Sequence, residues 1–125
     1  MGDCKLKDFW KINGYEISAL LNKKEVSATE ICNNLIEHIE KINPKINAIV
    51  VETFEDAKKQ AEIIDKKIKE GENIGTLAGV PTTIKVNTDQ IGYPSTNGLR
   101  IQKDLIAKKD SPVVKNLRNS DALIL

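Results

Sequence analysis

A capping box followed by a one-sided apolar stripe does most to limit the folds open to this chain. Ser27-Ala28-Thr29-Glu30 has the S-x-x-E form that starts helices. Behind it Ile31, Leu35, Ile39 and Ile42 recur at helical spacing, and Cys32 and Ile36 widen the stripe. Such a helix must lay one face against a partner. Asn43-Pro44 is expected to stop it, because proline disfavours helical geometry in the residue before it. A second long helix opens at Thr53, with Ala57, Ala61, Ile64 and Ile68 on one face and Gly71 as its stop. Its other face offers Glu55/Lys59, Glu62/Lys66 and Asp65/Lys69, acid-first pairs that read as a solvated, self-paired surface.

Short apolar runs alternate with these helices. Asn47–Val51, Thr82–Val86 and Ala122–Leu125 read as strands, and Tyr15–Asn22 as a brief amphipathic helix with Ile17, Leu20 and Leu21 inward. Ser111-Pro112 supplies an N-cap and first-turn proline for a helix carrying Val113, Val114 and Leu117. Residues 87–97, rich in Gly, Pro, Ser and Thr, are loop. Gly71, Gly75 and Gly79 recur every four residues, but in a loop-like context rather than the apolar helix that a packing motif needs. The alternation predicts an α/β layer architecture. Residues 1–14 are expected to form a loosely ordered segment, with Phe9 and Trp10 as an anchor. Residues 15–125 are expected to belong to one domain.

Composition narrows the partners. The net charge is +1 and only Arg100 and Arg118 carry guanidinium groups, so nucleic acid is not expected as a direct partner. No apolar run reaches the length of a membrane span. Cys4 and Cys32 match no metal or redox spacing; Cys32 reads as a small buried hydrophobe, and a reduced, cytoplasmic setting follows. Neither a phosphate-cradling loop nor a metal cluster is present, so no cofactor is expected.

One residue resists a purely structural account. In "GVPTTIKVN", residues 79–87, Lys85 stands between Ile84 and Val86. Lys85 and Thr83 could simply share a wet face. The alternative is a lysine held away from water. A free amine is almost wholly protonated at neutral pH, and exclusion of water is what makes it a usable general base.

Four segments decide between these readings. "LAGVPTTIKVN" resembles the lysine motif of the amidase signature family, a Gly-[Val/Ile]-Pro turn leading into a strand that ends Ile-Lys-Asp-Asn. "EISALLNKKEVSATEICNNLIEHIEKINPKINAIV" resembles that family's N-terminal helix pair. "GYPSTNGLRI" resembles its Gly-x-Pro-Thr-x-Gly loop, and "DSPVVKNLRNSDALIL" its Asp-[Ala/Ser]-Pro-Val-Val helix and following strand. The likeness runs from about Tyr15 to Leu125. It implies an incomplete portion of the amidase-signature fold: N-terminal helices plus the first strands of a mixed twisted sheet.

The resemblance also implies chemistry. Members cleave or transfer carboxylic amides without a metal, using a nucleophilic serine, a second serine on a cis peptide bond, and a lysine that accepts the relayed proton. Lys85 matches that lysine. Both serines lie, by resemblance, in a Gly/Ser-rich stretch that these 125 residues do not contain. Ser95 and Thr96 fall in a different family element, and His38 reads as a surface residue. The expectation is a truncated amidase-family hydrolase, inactive by itself, whose small-molecule substrate is an amide. An amidotransferase component that delivers ammonia to a misacylated tRNA, and a non-catalytic α/β binding module, are the rivals. Self-association through an exposed sheet edge is expected. Two departures from the family pattern stand out: Val86 replaces the acidic residue after the lysine, and Asp121 replaces the glycine before the last strand.

Overall fold

The structure, a computed structural model, describes residues 8–125. Cys4 and the first half of the expected N-terminal segment lie outside that range. Phe9 anchors a short 3₁₀ turn, Phe9–Lys11, and is buried in the core.

Four helices follow from their caps. Helix α1 (Gly14–Asn22) starts at a reciprocal pair between Asn13 and Glu16, each side chain accepting from the other's backbone N–H at 3.0 Å. Helix α2 (Ala28–Ile46) begins at the expected box: Glu30 N–H donates to Ser27 Oγ, and Ser27 N–H to Glu30 Oε2. Helix α3 (Phe54–Glu70) ends at Gly71, whose φ of 72° is the left-handed geometry that glycine adopts freely. Helix α4 (Pro112–Asn119) is capped by Ser111 Oγ, which accepts from Val114 N–H.

Several expectations need correction. Asn43-Pro44 does not stop α2. Pro44 sits inside the last turn, and the helix continues to Ile46 before Asn47 ends it at φ 50°. The turn around Pro44 is exposed, and so is Glu40, so water can satisfy the carbonyl that loses its proline-side donor. Asn47–Val51 is not a strand. Asn43 captures that segment instead, its side chain donating to Ile49 O at 2.8 Å and accepting from Ile49 N–H at 2.9 Å. The three expected acid-first pairs on α3 are absent among the described ion pairs. Lys58 meets Glu55 at 2.9 Å, and Asp65 turns away to another helix. Thr82–Val86 shortens to strand β1, Pro81–Thr82.

Strand β1 lies parallel to β2 (Leu123–Ile124), with Pro81 opposite Leu123 and Thr82 opposite Ile124. Helix α4 forms part of the crossover between them, as parallel pairing requires. Leu123 and Leu125 join a core built from Ile17 and Leu21 of α1, Ile31, Cys32 and Leu35 of α2, and Ala57, Ala61 and Ile64 of α3. Ala122 and Ile124 are buried outside that cluster. Strand β2 is thus shielded on both faces, in keeping with a parallel sheet. The short side chains of Ala57 and Ala61 suit close packing of α3 on its neighbours.

Thr53 ties α3 to the sheet. Its hydroxyl donates to Ile124 O at 2.9 Å, which satisfies a carbonyl of β2 and leaves α3 without a side-chain cap. At the opposite end, the turn before β1 presses on the turn before β2. A Cβ on Gly75 would sit 2.3 Å from the Ser120 carbonyl, so only glycine fits.

Candidate active site

Ligands of open α/β sheets gather at the carboxyl ends of parallel strands. Both ends here open on one cavity of about 670 Å³. From β1 the chain runs on through Thr83, Ile84 and Lys85 along its wall, and from β2 Leu125 closes its floor. Val50 and Val51 supply more apolar lining, and Thr53, Gln90 and Tyr93 the polar groups. A mostly apolar hollow with a few convergent polar side chains is the usual form of a small-molecule site.

The segment after β1 keeps a two-residue alternation without a pairing partner. Thr83, Lys85 and Asn87 are exposed, whereas Ile84 and Val86 are half-buried. Lys85 therefore lines the cavity but is not dry. The expected exclusion of water is corrected: pairing ends at Thr82, and Lys85 remains open to solvent among the described residues. None of their ion pairs involves Lys85, so no carboxylate among the described residues holds its amine.

The opposite wall is a braced loop. Ser111 N–H donates to Asp89 O, and Ile91 N–H to Asp110 Oδ1 at 2.8 Å. Arg118 holds the other oxygen of Asp110 at 2.9 Å. Tyr93 donates its hydroxyl to Asp56 Oδ2 at 2.8 Å, which pins the loop to α3. Burial and that hydrogen bond push the Tyr93 phenol up to about 12, so it stays protonated and cannot act as a base near neutrality.

Other sequence candidates fall elsewhere. Ser95 and Thr96 do not line the cavity; Ser95 Oγ donates to Asp89 at 2.6 Å, and Thr96 Oγ1 accepts from Gly98 N–H. His38, on α2, stacks on Trp10 at 4.2 Å between ring centroids and does not line the cavity. Among the described residues no group of three or more His, Cys, Asp or Glu could hold a metal ion. No helix among them is long and apolar enough to cross a membrane.

The roles of Gln90 and Asp121 are not disclosed by the sequence pattern. Gln90 is buried against the cavity and gave no signal in the sequence. Asp121 stood out only as a departure from a pattern. In the structure its carboxylate accepts from Gly75 N–H at 2.7 Å, Lys67 Nζ at 2.9 Å and Gln60 Nε2 at 3.1 Å.

Helices packed on a short parallel sheet, with a lysine-bearing hollow at the strands' carboxyl ends, define a segment of an α/β fold. The family described as Amidase matches residues 30–125, and the chain belongs to that family. Indoleacetamide hydrolase of Bradyrhizobium diazoefficiens is 36% identical over 116 residues, covering 93% of this chain and 22% of that protein. A glutamyl-tRNA(Gln) amidotransferase subunit of Fusobacterium nucleatum is 36% identical over 118 residues, covering 94% and 24% respectively. Among solved structures, a bacterial aryl acylamidase of the amidase signature family superposes with a TM-score of 0.87 at 32% identity, over 91% of this chain and 24% of that one. Fatty acid amide hydrolase gives 0.89 at 18% identity, over 98% and 22%, a likeness of fold alone. The chain spans about a quarter of the length of the curated relatives it matches.

Proposed function

We propose that this chain is the N-terminal part of an amidase domain, residues 15–125, in which Lys85 is the general base for cleavage of a carboxylic amide. The observation that carries this reading is the position of Lys85 on the wall of a cavity at the carboxyl ends of two parallel strands. In the complete site the neutral amine accepts the proton of the nucleophilic serine, relayed through the second serine. The serine oxygen attacks the amide carbon, the proton passes to the departing nitrogen as the C–N bond breaks, and water then hydrolyses the acyl-serine to the carboxylic acid and free serine. Both serines come from polypeptide outside these residues, which also dries the amine.

The 125-residue chain by itself should release no ammonia from primary amides such as indole-3-acetamide. Residues 15–125 exchanged for the matching segment of the Bradyrhizobium hydrolase should support turnover. Lys85→Ala in that chimera should lower kcat/KM by about 10²–10⁴, the usual contribution of a general base. Undiminished turnover by the Lys85→Ala chimera would refute the assignment.

The amidotransferase relatives favour a second reading, in which the same cleavage passes ammonia to an acyl acceptor rather than to solvent. Ammonia release that requires the acceptor would support it. The open edge of β1 is the proposed place for self-association, since a strand edge carries unpaired backbone groups.

A further inference from the structure

We propose that Gln90 is the recognition group of the Lys85 cavity, its carboxamide donating to the carbonyl oxygen of a bound carboxylic amide. The inference deepens the amidase reading and rests on it for the ligand class. Gln90 is only 6% exposed, and its Nε2 is buried with no hydrogen-bond partner among the described residues. The other buried polar side chains are satisfied: Thr53 by Ile124 O, and Asp121 by three donors. A buried donor left unpaired is rare in folded proteins and calls for a partner.

The surroundings fix where that partner must sit. Gln90 O accepts from Tyr93 N–H at 3.0 Å, and Asp89 and Ile91 on either side are tied to Ser111 and Asp110. The backbone at residue 90 is therefore held. Tyr93 does not serve: its hydroxyl donates to Asp56, and no acceptor among the described residues, the Tyr93 oxygen included, pairs with Gln90 Nε2. What remains is the cavity that Gln90 lines together with Lys85. Rotation about Cγ–Cδ is soft, so the carboxamide can present its donor there. A side chain with a donor beside an acceptor matches another carboxamide, its own chemical kind. Gln90 would then orient the amide while Lys85 handles the proton.

The test uses the ¹⁵N-labelled 125-residue chain, with benzamide as probe and toluene as the carbonyl-free control. Benzamide should move the Gln90 side-chain amide resonance saturably, and toluene should not. Gln90→Met, close in shape but apolar, should bind benzamide about tenfold more weakly, since a site built around a hydrogen bond discriminates strongly for it. The same variant should melt at a higher temperature, having lost an unpaired buried donor. An unmoved Gln90 resonance, no saturable shift at all, or equal binding by Gln90→Met would each overturn the proposal. Failure of the general-base reading looks different: recognition by Gln90 persists while Lys85→Ala leaves the chimera active.

Discussion

Asp121 adopts a φ of 59°, a backbone region that L-residues other than Asn and Asp avoid. Its side chain joins α3, through Lys67 and Gln60, to the Gly75 turn before β1. Asp121→Ala should cost about 3 kcal/mol in denaturant unfolding, combining backbone strain with a lost buried ion pair and an orphaned N–H. Asp121→Gly should cost about 1 kcal/mol less, because glycine removes the strain. Equal stability of wild type and Asp121→Ala would show that the carboxylate carries no weight. Cys32 gives a pH signature. Burial pushes its thiol up from 9.0 to about 11, so the unfolded chain ionises first as pH rises. That part of the stability is fully present below pH 9 and is lost as pH climbs through about 11. The effect is on the order of 2 kcal/mol. Cys32→Ala should lower stability everywhere yet flatten its fall over this window, as followed by urea melts at successive pH values.

At the scale of elements, the helices join through a carboxylate that the sequence pattern assigned to solvent. Asp65 of α3 accepts from Ala28 N–H at 2.7 Å, Thr29 N–H at 3.0 Å and Thr29 Oγ1 at 2.6 Å. It thus caps the positive end of α2 from outside. Asp65→Ala should destabilise the chain by about 1–3 kcal/mol, and Asp65→Asn by less. Thermal melts of the two variants should fall in that order, and a wild-type melt for Asp65→Ala would discount the cap. The caps at Ser27, Gly71 and Ser111 were legible because each depends on residues within one turn. Asp65, Asp121 and Thr53 were not, since their partners lie far along the chain. The failed strand at residues 47–51 has a local cause that pattern reading weighs poorly: an asparagine side chain can imitate a backbone partner. The odd place of Lys85 in an apolar run drew notice to a residue that lines the cavity, whereas its solvation depended on which neighbours cover it.

Across the whole molecule, apolar side chains remain at the surface around the loop that follows the cavity. Ile101 is 92% exposed, and Leu99, Leu105 and Ile91 are each more than half exposed. With the open edge of β1, this surface should drive self-association at high concentration. Sedimentation should show a concentration-dependent mass, and a single monomeric species throughout would count against it. The parallel register has its own consequence. Between the two strands of the pair lie the braced loop and all of α4, and that long excursion must close before either strand gains a partner. Helices α2 and α3, adjacent along the chain, face no such delay. Assembly is therefore expected to proceed from the helical side toward the sheet, with the hollow holding the amine taking shape last.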